Sequence, residues 1–109
     1  MGLPSDKLYD EGIVIAKAEL SIIVVKDDDQ YSAYCPELDL AIAAETPTGS
    51  IEEMVGEIKE YAKEYSESYE LYSKSPNRSG HAPLINRIMK CKSEWELMKM
   101  IEIRYADYL

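Results

Sequence analysis

The stretch that decides the fold is YSAYCPELDLAIAAET, residues 31–46. It opens with an alternation typical of a strand, and Pro36 ends that strand because proline has no backbone N–H for a ladder. The short turn 37–39 then leads into a third strand over residues 40–44, whose small alanines allow a helix or a neighbouring backbone to approach closely. The stretch therefore predicts two consecutive strands joined by a tight turn.

The segment before this stretch predicts the first strand of the same sheet. IVIAKAELSIIVVK, residues 13–26, is rich in β-branched residues, and Leu20, Ile22 and Val24 alternate along it. DDDQ, residues 27–30, supplies turn residues and predicts a β-hairpin. We do not interpret the three aspartates as a metal site, because consecutive side chains on a tight turn point apart.

The segment after the third strand predicts a long amphipathic helix over residues 51–72. Ser50 and Glu53 match a capping box at its start. Apolar residues then recur every three or four positions, which indicates packing on the sheet at least as far as Tyr65. Because a helix of this length outruns strands of five residues, we expect Tyr69 and Tyr72 to contact another surface.

The chain length of 109 residues predicts one domain with appendages. We expect a flexible arm over 1–12, a β-β-β-α unit over 13–72, a linker over 73–83 and a C-terminal helical extension over 84–109. In that extension, apolar spacing predicts a short helix near 83–91 and a longer one near 94–107, the latter capped by Ser93 and Glu96.

Charge is unevenly distributed along the chain. Residues 1–73 contain 17 acidic and 5 basic residues, a net charge of −12, whereas residues 74–109 contain 4 acidic and 7 basic ones, a net charge of +3. The first part should repel nucleic acid and attract basic partners. Residues 74–92 contain five basic residues and no acid, so this segment either contacts DNA phosphates or folds back on the acidic helix or on an acidic neighbouring subunit.

The sequence offers no convincing catalytic or metal-binding set. His81 lies in the Ser/Gly/Pro-rich linker, where we expect an exposed loop histidine. Cys35 precedes Pro36 and has Glu37 and Asp39 nearby, which disfavours a thiolate, and two cysteines are too few for a disulfide framework or a usual zinc site. We therefore predict a non-enzymatic protein with no cofactor. No signal peptide or membrane span is recognisable, so we expect it in the cytoplasm.

The order of strands, turn and capped helix resembles the HicB-like antitoxin family over residues 20–66. The positions that match the family pattern, besides the acidic turn at 27–29, are Tyr31, Ala33, Pro36, Glu37, Leu38, Ser50, Glu52 and Glu53. The resemblance implies an α+β fold in which one long helix packs on a three-stranded antiparallel sheet, similar to a partly degraded ribonuclease H core. It also implies an antitoxin that covers the RNA-binding surface and catalytic histidine of a small basic RNA-cleaving toxin, HicA.

These considerations place two candidate surfaces on the chain. The predicted partner-binding residues are Asp27, Asp28, Asp29, Tyr31, Tyr34, Glu37 and Asp39. The predicted oligomer interface, which would form a homodimer or higher oligomer, comprises Tyr69, Tyr72, Trp95, Met98, Ile101 and Tyr105. The alternative function is a stand-alone oligomeric structural or regulatory protein with no toxin partner, with DNA contacts through residues 74–92 as a further option.

Overall fold

The computed structural model describes residues 18–107 as a mixed α+β structure. Its elements in chain order are β1 (Leu20–Asp27), β2 (Gln30–Cys35), a 3₁₀ turn (Pro36–Leu38), β3 (Leu40–Ala44), α1 (Pro47–Glu67), α2 (Tyr69–Tyr72), a second 3₁₀ turn (Ser79–His81), α3 (Ala82–Lys90), α4 (Glu94–Lys99) and β4 (Ile101–Ala106). The predicted arm over 1–12 and the first residues of the predicted 13–26 strand lie outside the described part of the chain.

The four strands form one sheet in the order β3-β2-β1-β4. β1 and β2 are antiparallel, and Asp27 pairs with Gln30, so the predicted hairpin is confirmed with a two-residue turn. Asp28 has a φ of 54°, a left-handed conformation that aspartate tolerates better than most residues. β3 pairs antiparallel with β2, as expected, and Asp39 at the turn between them is also left-handed.

The prediction of a helix over 94–107 is wrong beyond Lys99. α4 ends there, and residues 101–106 form β4, which pairs in parallel with β1. The apolar residues at 98, 101 and 105 fit helical spacing, but Ile101 and Ile103 also alternate with charged residues, which is the period of a strand. The predicted three-stranded antiparallel sheet is therefore a mixed, four-stranded one.

The start of α1 also differs from the prediction. Thr46 is the N-cap, and its Oγ1 accepts a hydrogen bond from the Gly49 N–H at 2.9 Å. Pro47 follows at the first helical position, which suits its fixed φ and missing N–H. Ser50 is fully buried inside the helix and donates to the Pro47 carbonyl at 2.7 Å, so the predicted Ser50–Glu53 capping box is wrong.

The predicted cap of the C-terminal helix is confirmed in its first half. The Ser93 Oγ accepts from the Glu96 N–H at 3.2 Å. The Glu96 carboxylate does not accept from the Ser93 N–H, as a capping box would require, but from the N–H of Lys92 at 3.0 Å. Each interaction satisfies a backbone donor that the helix leaves free at its start.

One hydrophobic core joins the sheet to α1, α3 and α4. The fully or almost fully buried members that define it are Leu20, Ile22, Ala33 and Cys35 from the sheet, Met54, Ile58 and Tyr65 from α1, Ile85 from α3, and Leu97 from α4. The strand residues of this set all point to one face of the sheet, because side chains alternate along a strand. The C-terminal helices therefore share the core of the β-β-β-α unit.

Candidate protein-binding surface

Glu37 completes the sheet where β2 ends. Ile23 of β1 pairs with Tyr34 of β2, so the next hydrogen-bonded residue of β1, Ser21, lies opposite Pro36, whose carbonyl turns into the 3₁₀ turn and accepts from the Asp39 N–H at 3.3 Å. The Glu37 carboxylate is the acceptor instead: it accepts the Ser21 N–H at 2.8 Å and the Ser21 hydroxyl at 3.0 Å. This predicted binding residue therefore serves the fold.

The face of the sheet opposite the core is the main candidate surface, and we call it the open face. Its members, read from the strand registers, are Ser21, Ile23, Val25, Ser32, Tyr34, Ala41, Ala43, Glu102, Arg104 and Ala106. None of them belongs to the core that α1, α3 and α4 share. Val25 is buried, Ile23 and Tyr34 are half-buried, and Ala41 and Ala43 are exposed. Of these members, only Glu102 and Arg104 on β4 are charged.

Acidic side chains flank the open face at the hairpin. Asp27, Asp28 and Asp29 are all exposed at the end of the β1–β2 hairpin, next to exposed Lys26. A second acidic region lies on the outer side of α1, where the exposed carboxylates are Glu52, Glu53, Glu57, Glu60, Glu64 and Glu67. The helix lies on the other side of the sheet, so the two acidic regions face different directions.

The structure separates the predicted partner-binding residues. The three aspartates stand at one end of β2, whereas Glu37 and Asp39 follow its other end, so the six residues of β2, about 17 Å, lie between them. Tyr34 lies on the open face near the far end of β2, but Tyr31 lies on the opposite face and packs against the core. The hairpin aspartates therefore form one exposed region, and Tyr34 lies along the same strand at its other end.

Asp39 belongs instead to a cluster with His81 and tyrosines of α1. The Tyr61 Oη lies 2.6 Å from His81 Nδ1, and His81 Nε2 lies 3.5 Å from Asp39 Oδ2. Burial raises the pKa of Tyr61, so its hydroxyl is protonated near neutral pH, and it donates to Nδ1 or accepts from it according to the tautomer of His81. The expected exposed loop histidine is therefore wrong, since only 12% of the His81 side chain is accessible.

Arg78, in the predicted linker, packs on the tyrosines of the same cluster. Its guanidinium lies 5.4 Å from the Tyr61 ring centroid and 5.0 Å from that of Tyr72, and its carbonyl accepts from the Tyr65 hydroxyl at 2.8 Å. Cation–π contacts of this kind contribute about 0.5–2 kcal/mol each. The composition of residues 73–83 predicts a linker, and the aromatic partners for its arginine and histidine were not recognised there.

The predicted oligomer interface is divided between core and surface. Tyr72 packs on the buried Tyr65 ring, with centroids 5.4 Å apart, and Ile101 and Met98 pack against the core. Tyr69 is 40% exposed, while Trp95 on α4 and Tyr105 on β4 are 73% and 69% exposed. Leu71 and Met89 are also large exposed apolar residues that the sequence patterns did not single out.

Neither thiol is placed for nucleophilic chemistry. Burial, followed by the nearby Glu37 carboxylate, raises the pKa of the Cys35 thiol to about 12. Burial also raises the pKa of Cys91. Within residues 18–107 no group of three or more histidine, cysteine, aspartate or glutamate side chains converges as a metal site would require.

Several basic residues of the C-terminal third make internal contacts. Arg87 forms an ion pair with Glu19, Lys74 pairs with Glu70 at 3.0 Å, and Arg104 pairs with Glu102 at 2.9 Å. Lys59 of α1 in turn pairs with Glu94 of α4. Lys74 and Arg87 therefore pair with acids of the same chain: Glu70 lies four residues before Lys74, and Glu19 precedes β1.

The fold is similar to that of one solved structure. It matches the crystal structure of an antitoxin part of a proposed toxin/antitoxin system from Syntrophomonas wolfei subsp. wolfei, with a TM-score of 0.70 and 22% sequence identity over 93% of this chain and 68% of that chain. No curated protein matches the sequence at a significant level.

Sequence comparison identifies the family. Residues 3–103 match the PHD_like family, described as "Antitoxin of toxin-antitoxin, RelE / RelB, TA system", and the chain belongs to this family. The predicted assignment as an antitoxin is thereby confirmed, and the description names RelE/RelB rather than HicB. In the part of the chain that the structure describes, no helix has the length and apolar character needed to cross a membrane.

Proposed function

We propose that this antitoxin neutralises a small basic RNA-cleaving toxin of the HicA type by occupying its RNA-binding and catalytic surface. It acts by binding alone, without catalysis or a cofactor. The observation that carries the proposal is the exposed triplet Asp27–Asp29 beside the open face. The order of strands, acidic turn and helix by which the sequence resembles the HicB-like family supports this kind of toxin.

Charge supports a toxin that binds RNA. Such a toxin must present basic groups to phosphate, and three carboxylates on a two-residue turn and its flanks can compete for the same groups. The carboxylates are fully accessible at the tip of the hairpin, so they can approach a recessed basic surface. Long-range attraction between the chains would also raise the rate of association.

The open face supplies the apolar part of the proposed contact. Ile23 and Tyr34 are adjacent in the strand register, and Ala41 stands beside Tyr34 on β3. Tyrosine suits a surface that is covered in a complex and wetted outside it. Tyr34 and the hairpin aspartates belong to β2 and to the turn before it, so a partner lying along β2 would reach both.

The proposal can be tested by removing the hairpin charges without changing its shape. Asp27→Asn, Asp28→Asn and Asp29→Asn are combined in one variant, since asparagine also tolerates the left-handed backbone at position 28. Binding to a purified small basic toxin of the HicA type is measured by calorimetry. We expect affinity to fall at least about tenfold, as loss of a few interfacial charge contacts predicts.

A matched variant separates a local effect from loss of net charge. Glu57→Gln, Glu60→Gln and Glu64→Gln remove the same charge from exposed positions on α1. This control should bind within about threefold of the unmodified chain, because it lies on the other side of the sheet. Equal weakening by both variants, or unchanged binding by the hairpin variant, would contradict the proposed surface.

A further inference from the structure

β4 presents a free hydrogen-bonding edge in the described structure. The sheet order ends at β4, and no strand within residues 18–107 pairs with its outer side. The Leu20 N–H donates to the Met100 carbonyl at 2.9 Å, and backbone groups alternate in direction along a strand. The N–H and C=O groups of Ile101, Ile103 and Tyr105 therefore point away from β1.

We propose that two copies of this chain pair through β4, antiparallel and centred on Ile103. This register places Ile103 opposite its own copy as a hydrogen-bonded pair. It also places Ile101 opposite Tyr105 of the second copy, again with backbone groups that face each other. The twofold axis stands perpendicular to the sheet, so the two four-stranded sheets become one sheet of eight strands.

The charges of β4 complement themselves in this register. Glu102 of one copy stands opposite Arg104 of the other, and the symmetry forms the same pair twice. Both residues already pair within one chain, at 2.9 Å, so their side chains lie at the same edge of the open face. A shift of the register by two residues would place Glu102 or Arg104 opposite its own copy, which is unfavourable.

The exposed side chains support a second copy as the occupant of this edge. Tyr105 is 69% exposed, and the dimer would cover it with Ile101 of the other copy. Edge strands are often protected from such pairing by charged side chains, especially lysine, or by proline. β4 contains no lysine or proline, and its charged residues, Glu102 and Arg104, are of opposite sign, so they can complement a second copy. β3 at the other edge, LAIAA, contains no charges that could select a partner or a register.

Charge reversal on the full-length chain tests the pairing directly. Glu102→Arg places arginine opposite arginine, and Arg104→Glu places glutamate opposite glutamate. Sedimentation velocity over a range of concentrations should show a dimer for the unmodified chain and, for each single variant, dimerisation weakened at least about tenfold. The double variant Glu102→Arg with Arg104→Glu should restore the dimer, since the opposite charges face each other again.

The double variant is also the control for folding, because it contains both substitutions. Circular dichroism spectra should be similar for all four chains, since both side chains are at the exposed edge. The midpoint temperature of thermal unfolding should rise with protein concentration for the unmodified chain and the double variant, because dimerisation stabilises the folded state by mass action. A monomeric unmodified chain would overturn the proposal, and this is the result expected if residues 1–17 occupy the edge instead. Dimers unaffected by the single reversals, or a folded double variant that stays monomeric, would also overturn it.

Discussion

Pro36 ends β2 without leaving Ser21 unpaired, because the Glu37 carboxylate accepts both its N–H and its hydroxyl. The Glu37 carboxylate thus supplies the acceptor that β1 does not find in the backbone after Cys35. A half-buried donor without an acceptor costs more than a surface bond contributes, so the effect of Glu37 should be measurable in the stability of the fold.

Glu37→Ala should lower the free energy of unfolding by about 1–3 kcal/mol, because two donors of Ser21 lose their acceptor. Glu37→Gln should lower it less, since the amide oxygen still accepts one of the two bonds. Urea denaturation measures both values. Glu45→Ala, at an exposed position, is the control, and an equal effect of Glu37→Ala and Glu45→Ala would contradict this role.

Cys35 should resist alkylation in the folded chain. At pH 8 a thiol whose pKa is about 12 is almost entirely protonated, and the side chain is fully buried. We expect iodoacetamide to modify Cys35 at least about 100-fold more slowly in the native state than in urea. Peptide mass spectrometry resolves Cys35 from Cys91, and equal rates in the two states would contradict the burial of Cys35.

The Cys35 thiol also makes the free energy of unfolding decrease at alkaline pH. Its folded pKa is raised from the ordinary value of 9.0, so the unfolded chain loses this proton first as pH rises. The stabilisation is complete below pH 9 and decreases between pH 9 and about 12. Cys35→Ala should reduce the part of the alkaline loss of stability that belongs to this group.

Residue types alone could not separate Glu37 from the acids of the hairpin. All are carboxylates at turns, and the sequence does not indicate that Ser21 reaches back to Glu37 across 16 positions. The inertness of Cys35, by contrast, was predictable, because a neighbouring carboxylate and a strand position both disfavour a thiolate. The partners of His81 lie 20 and 42 positions away, so its burial was not predictable from local sequence.

At the scale of elements, β1, β2, β3 and the following helix were predictable because each has a clear period and a clear stop signal. β4 was not, since IEIRYA continues the helical spacing of α4 while also alternating. The parallel edge of β1 decides between these two patterns, because it offers hydrogen bonds that only a strand can accept. The preference of residues 101–106 for a strand thus comes from tertiary contacts and cannot be read from the local sequence.

The start of α1 gives a test at this scale. Thr46→Ala should lower the free energy of unfolding by about 1 kcal/mol, because the Gly49 N–H loses the cap oxygen. Glu53→Gln should change it by less than about 0.5 kcal/mol, since Glu53 is exposed and Ser50 is not the cap. Chemical denaturation followed by circular dichroism measures both, and a larger effect of Glu53→Gln would favour the capping box at Ser50 instead.

At the scale of the whole molecule, the fold separates surfaces with different properties. The helices cover one face of the sheet, the open face lies opposite them, and the acidic hairpin extends beyond its end. The free edge of β4 lies beside the open face, so the proposed dimer would extend that face without covering it. Self-association and toxin binding can therefore occur on the same chain.

Protection of RNA measures the proposed neutralisation itself. Cleavage of a labelled single-stranded RNA by a purified small basic toxin of the HicA type is followed while the chain is added. We predict that cleavage stops near stoichiometric amounts of the unmodified chain and of the α1 control variant, and that the hairpin variant requires at least about tenfold more. Undiminished cleavage in the presence of excess folded chain would contradict the account.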